Sequence, residues 1–185
     1  MTSELCIRSI PIAAPDGHTL SGLAVPYGKW SREISDGLGR SFTERIQAGA
    51  FRDSLAEDIK LFFNHDMRMP LARTRSGSLT IEERSTGIHF SAELPDTTLG
   101  NDVRVLMQRG DLSGEMSFGF YVDAEEWNAK RTQRTVTRGR LVELSVVTDA
   151  AYGDKTYSSL RSVSAAVSEA VVARLELFHA RIGNG

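Results

Sequence analysis

Three strand-like stretches, two of them with a strict two-residue rhythm, constrain the fold of this chain more than any other feature. In the first, Ile88, Phe90, Ala92 and Leu94 are interleaved with His89, Ser91 and Glu93. In the second, Met116, Phe118, Phe120 and Val122 share one face, while Ser117, Gly119 and Tyr121 share the other. The third, Leu141 to Thr148, is rich in β-branched residues and reads as a largely buried strand. Strand-like runs also cover Glu4 to Ile10 and Thr19 to Val25, on either side of Pro15-Asp16-Gly17, and Asp58 to Phe63. Leu79 to Glu83 forms a hairpin with the first alternating run through Arg84-Ser85-Thr86-Gly87.

Helices are fewer. Gln47 to Leu55 reads as a short one, and Trp30 to Arg40 as a polar loop. Pro95-Asp96-Thr97-Thr98 offers N-cap residues, Val103, Leu106 and Met107 follow at helical spacing, and Gly110 suits the C′ position. Beyond Tyr157 the pattern changes. Val167, Val171, Leu175, Phe178 and Ile182 recur at three- and four-residue spacing with charged residues between them, the mark of an amphipathic helix. Such a helix either packs on its own domain or serves as a docking or dimerisation element. The expected organisation is therefore a main domain over residues 1–157 and a helical segment over 158–185. With no regular strand–helix alternation, the fold class is mainly β with helices (α+β), built on a mostly antiparallel sheet or barrel.

Composition closes off several function classes. The chain of 185 residues carries 22 Lys and Arg against 24 Asp and Glu, a formal net charge of −2, so bulk charge makes no case for nucleic acid. The run Lys130 to Arg140 is basic without an acid, and reads first as a solvated hairpin or loop, second as a contact for acidic segments or DNA. One cysteine, Cys6, cannot form an intrachain disulfide, which suits a reducing compartment. Met1 to Pro11 lacks the apolar region of a signal peptide, and no apolar run reaches the roughly 18 residues of a membrane span. The histidines at 18, 65, 89 and 179 are scattered without metal-ligand spacing.

Three residues carry chemical potential. Ser117 lies in a strand with Gly119 two residues on, an arrangement that leaves room for a substrate backbone. His65 follows an apolar strand, and its ordinary pKa suits a general base. Glu143 lies inside an apolar strand, where an ionised carboxylate needs a partner. Each has a plainer reading: a small polar strand residue, an exposed or structural histidine, and a glutamate on an edge or paired with an arginine. Pattern alone does not choose.

Longer stretches do. Leu20-Ser21-Gly22-Leu23-Ala24, Phe42 to Phe51, Phe63-Asn64-His65-Asp66 with Pro70-Leu71 and Arg73-Thr74, Arg109 to Phe120, and Leu141 to Thr148 with Ala151-Tyr152 stand in one order. Over about Glu4 to Tyr157 the chain resembles the prohead (capsid maturation) proteases of tailed phages, relatives of the herpesvirus maturation proteases. The resemblance implies a closed or nearly closed β-barrel ringed by a few helices and a serine endopeptidase of Ser-His-Glu type. In it Ser117 is the nucleophile, His65 the general base and Glu143 the group that orients the histidine. The oxyanion hole is left open between backbone N–H groups and an arginine. No cofactor or metal is implied. The implied substrate is a scaffold protein or a major capsid protein extension, and the protease itself, inside the immature capsid in the bacterial cytoplasm. A homodimer is an expectation carried from the herpesvirus relatives. Two departures, Thr148-Asp149-Ala150-Ala151-Tyr152 for Thr-x-Pro-Ala-Tyr and Pro70-Leu71-Ala72 for Pro-Leu-Gly, touch loops rather than the three residues. The competing readings are a non-enzymatic capsid-assembly protein of the same fold and a nucleic-acid-binding head protein.

Overall fold

The second and third of these stretches become parts of the two longest strands among the described residues, and the rest of the larger sheet is assembled on them. The computed structural model describes residues 5–11, 16–35, 40–112 and 115–148. In chain order the strands are β1 (Leu5–Pro11), β2 (Thr19–Pro26), β3 (Ile34–Ser35), β4 (Ser41–Ile46), β5 (Lys60–Phe63), β6 (Asp66–Arg73), β7 (Leu79–Arg84) and β8 (Gly87–Glu93). The helix α1 (Thr98–Arg109) follows, then β9 (Glu115–Trp127) and β10 (Gln133–Val147). All lie in the first of two units, Met1–Ala150. The expected C-terminal helix, residues 158–185, lies outside the described residues.

β9 and β10 pair antiparallel from end to end, with β1 antiparallel on the far side of β9. β10 also has parallel neighbours, β4 beside its first half and β5 beside its second. β3 extends β4 and β6 extends β5, so this sheet has seven strands. A separate three-stranded sheet runs in the order β2-β8-β7. The mainly β reading with helix therefore holds. The pairing is mostly antiparallel, as expected, but two parallel pairs flank β10 and the described pairings do not close into the expected barrel. The long connections around β10 allow parallel pairing that a hairpin cannot make.

Both sheets turn apolar faces into one core. Met116, Phe118 and Phe120 of β9 meet Leu141, Leu144 and Val146 of β10, Leu61 of β5, and Leu20, Val25, Ile88 and Phe90 of the smaller sheet. Phe51 packs edge-on against Phe120 with ring centroids 5.1 Å apart. The helix carries the caps its sequence announces: Thr97 accepts a hydrogen bond from the Gly100 N–H, and Gly110 takes the C′ position at φ 78°.

One expectation fails for a local reason. Gln47 to Leu55 is a set of turns with one 3-10 turn, Arg52–Ser54, rather than a helix. Gly49 at φ 81° sits in the middle and breaks any right-handed helical run. Ser54 then fixes the segment: its hydroxyl donates to the Phe51 carbonyl at 2.8 Å and accepts the Leu141 N–H at 2.9 Å. The basic run, read as a solvated hairpin or loop, is a hairpin: Lys130 and Arg131 lie in the turn after β9, and the remainder forms the first half of β10. Arg134 lies between Glu44 and Glu125 and over the Phe42 ring at 4.9 Å, and Arg140 pairs with Asp123 at 3.3 Å. Acids on neighbouring strands thus balance Arg134 and Arg140, while Lys130, Arg131 and Arg138 are exposed.

Tyr27, just past β2, links three further elements. Its hydroxyl donates to Glu83 Oε1 at 2.8 Å, and Arg52 Nε donates to Oε2 at 3.0 Å. The Tyr27 hydrogen bond, and after it Arg52, hold the Glu83 carboxyl below the usual carboxylate range against the opposing effect of burial. A depressed carboxylate stabilises the fold above its unfolded pKa, about 4.3, and loses that contribution as pH falls through the folded value. Tyr27→Phe is expected to cost ~1 kcal/mol in urea unfolding at neutral pH. The gap from wild type should narrow once the pH drops below about 4. A gap that stays constant with pH would show that Glu83 does not carry the effect.

Candidate active site

The histidine is presented by a two-residue turn. Phe63 of β5 pairs with Asp66 of β6, which leaves Asn64 and His65 as the whole connection. Both have left-handed backbones, with φ of 50° and 58°. That is the geometry of a type I′ hairpin, whose twist matches the flanking strands. Asparagine enters this region readily. Histidine does so at about 1–2 kcal/mol, which the surroundings must offset. They do so through Asn64. Its N–H donates to the Val146 carbonyl at 2.8 Å, and its side-chain oxygen accepts the Thr148 N–H at 2.9 Å. The turn is thus bound to the end of β10. Asn64 was not singled out from the sequence. The signal was there: an asparagine opening a two-residue gap after an apolar strand.

Glu143 reaches the same place through an irregularity in β10. Leu141 stands opposite Phe120, yet Glu143 stands opposite Gly119, so β10 spends two residues where β9 spends one. Val142 is the extra residue of a β-bulge. Without it, Leu141 and Glu143 would share a face, and the carboxylate would enter the apolar core. With it, Leu141 stays in the core and Glu143 moves to the opposite face. There its carboxylate is 2 % exposed and accepts a hydrogen bond from His65 Nδ1 at 2.5 Å. This pairing requires Nδ1 to carry a proton. In the neutral ring Nε2 is then an acceptor, as a general base must be.

Gly119 is the third part. A Cβ built on it would lie 2.9 Å from Glu143 Cγ and 3.2 Å from Oε1. The open space beside Ser117, read from the sequence as room for a substrate backbone, is occupied by the Glu143 side chain. Gly119 lets the carboxylate lie across the strand.

Ser117 occupies the same face, two pairs along, where it stands opposite Ser145 of β10 and Ser9 of β1. It is fully buried, and its hydroxyl has no hydrogen-bond partner among the described residues. The structure therefore joins His65 to Glu143 directly and places Ser117 on their face without a hydrogen bond to the histidine. A base, a carboxylate that orients it and a hydroxyl are the parts of nucleophilic acyl transfer.

The chain is similar to known proteins in sequence pattern and in fold. The family model described as "Caudovirus prohead serine protease" matches residues 4–169. The solved structure of the bacteriophage T4 capsid assembly protease, gp21, is similar in fold, with a TM-score of 0.54 and 11% sequence identity, over 80% of this chain and 99% of that one. No curated protein matches the sequence.

The Gly119 contact has a measurable consequence. The short His65–Glu143 bond should give a far-downfield imidazole N–H proton in NMR. Gly119→Ala is expected to displace the carboxylate, remove that resonance and cost about 1–3 kcal/mol, the range for overpacking. Adding Glu143→Asp, which withdraws the acid by one methylene, should recover part of that stability. A Gly119→Ala spectrum with the resonance unchanged would refute the packing argument.

Proposed function

The chain belongs to the family of caudovirus prohead serine proteases, and from that premise we propose that Ser117, His65 and Glu143 are its catalytic triad. Ser117 Oγ attacks a peptide carbonyl and passes its proton to His65 Nε2. Glu143 holds the imidazole by its Nδ1–H and stabilises the imidazolium that forms. The proton then goes to the departing amine, and water releases the acyl group from Ser117 by the same steps in reverse order. One observation supports this most strongly: the 2.5 Å bond from His65 to a buried Glu143 on the face that also carries Ser117. A site with no function would have little use for a strained turn, a bulge and a buried carboxylate that all converge. Since Ser117 is fully buried, a substrate gains access only by displacing what lies over it.

The substrates on this reading are a scaffold protein or a capsid-protein extension, and the protease itself, inside a procapsid. Confinement at high local concentration suits cleavage within the shell and self-cleavage. Residues 158–185 then form a docking or dimerisation segment, and light scattering that shows only monomer would remove the dimer from this account.

Wild type and Ser117→Ala should be co-expressed with the capsid or scaffold protein of the same particle and read by intact mass. Defined truncations are expected with wild type alone. Glu143→Gln should lower the cleavage rate by ~10⁴-fold, the scale of replacing a triad carboxylate by its amide. Head proteins that assemble uncut with wild type would favour the non-enzymatic assembly role instead.

A further inference from the structure

Ser145 is buried for no reason that the fold supplies. It stands opposite Ser117 in the β9–β10 register, and on its other side pairs with Phe62 of β5. Its side chain is fully buried and its hydroxyl, like that of Ser117, has no hydrogen-bond partner among the described residues. Burying an unpaired hydroxyl costs about 1–3 kcal/mol, and the large majority of buried polar side-chain atoms are paired. An alanine would fill the same position without that penalty. The position thus holds a donor whose acceptor is not a described residue, beside the nucleophile.

We infer that Ser145 is a further catalytic residue, whose O–H donates to the oxyanion that forms when Ser117 adds to a peptide carbonyl. The inference rests on the proteolytic reading above. Opposed residues of an antiparallel pair share a face, with Cβ atoms about 4.5–5.5 Å apart. In the tetrahedral adduct the oxyanion is two bonds from Ser117 Oγ. It can therefore occupy the space between the two hydroxyls, within the 2.5–3.0 Å of an O–H···O bond. Glu143, the anchor of the base, stands opposite Gly119, two pairs along on the same face. Base and donor thus approach Ser117 from different neighbours and do not compete. As the adduct forms, Oγ bonds to the carbonyl carbon, the π pair moves onto oxygen, and the Ser117 proton goes to His65. Ser145 keeps its own proton throughout. A hydroxyl unpaired at rest and paired only in the adduct stabilises the transition state more than the ground state, so it raises kcat rather than lowering KM.

A fluorophosphonate probe tests this on the full chain without a known substrate. Ser117 Oγ bonds to phosphorus as the P–F bond breaks, fluoride leaves, the proton passes to His65, and the phosphoryl oxygen takes the oxyanion position. Labelling would be followed by intact mass across a pH series, with Ser117→Ala as the blank. Ser145→Ala is expected to label ~100- to 1,000-fold more slowly, with the pH midpoint of labelling unchanged and the thermal midpoint of unfolding raised, because the unpaired buried hydroxyl is gone. Ser145→Thr, which keeps the hydroxyl, should recover most of the rate. Ser145→Cys, nearly isosteric but a weak donor, should be slow, and it decides the matter if the alanine variant does not fold. Wild-type labelling rates in Ser145→Ala or Ser145→Cys would overturn this inference alone. So would a slowed variant whose pH midpoint moves, because that would place the effect on the His65–Glu143 pair. A wild-type chain that is not labelled at Ser117 would overturn the proteolytic reading, and this inference with it.

Discussion

An ionised carboxylate placed within a sheet must find a partner or distort its surroundings, and Glu143 is where this protein meets that demand. Three local features meet it together. The Val142 bulge turns Glu143 away from the apolar core, Gly119 leaves space for its side chain, and the Asn64-His65 turn brings a ring nitrogen to 2.5 Å. Each is unfavourable taken alone. A bulge interrupts the ladder, a glycine weakens a strand, and left-handed histidine is strained. Their convergence on one carboxylate makes them intelligible as a unit.

The mixed pairing of the sheet belongs to the same account. β5 runs parallel to β10, so its C-terminal end emerges beside the C-terminal end of β10. The turn that follows β5 can therefore bond to Val146 and Thr148. An antiparallel β5 would have carried its turn to the opposite end of β10, away from Glu143. β10 thus serves two purposes along its length. Its first half balances charge with β4 and β9, through Arg134 and Glu44. Its second half separates core from site, with Leu144 and Val146 on one face and Glu143 and Ser145 on the other.

Much of the fold was legible because it rests on periodicity and caps. The alternation of Ile88, Phe90 and Ala92 gave the β7–β8 hairpin, and Thr97 and Gly110 bounded the helix. What escaped depends on long-range pairing. Only Val136 marks the first half of β10 as half-buried, because its arginines are neutralised by acids far away in sequence. Pro70 concealed β6, a strand paired on one side only, where a proline is tolerated. In the site, Ser117 and Glu143 were each ambiguous as single residues, and the family resemblance brought them together. The bulge could not be read at all. Counting in twos from Leu141 puts Glu143 in the core, and only the register with β9 shows the extra residue.

Among the described residues three serines are buried, and they differ in a way that separates structure from chemistry. Ser54 uses its hydroxyl twice, as donor to Phe51 and as acceptor from Leu141, and so joins an irregular segment to β10. Its polarity is spent within the fold. Ser117 and Ser145 spend none of theirs. Folding selects against such unpaired groups because each lowers stability without return in the resting state. A pair of them in register, beside a histidine already oriented by a carboxylate, is difficult to account for as packing. It is simple to account for as capacity held for an acceptor that arrives with the substrate, since hydrogen bonds not made at rest are those free to form in the transition state.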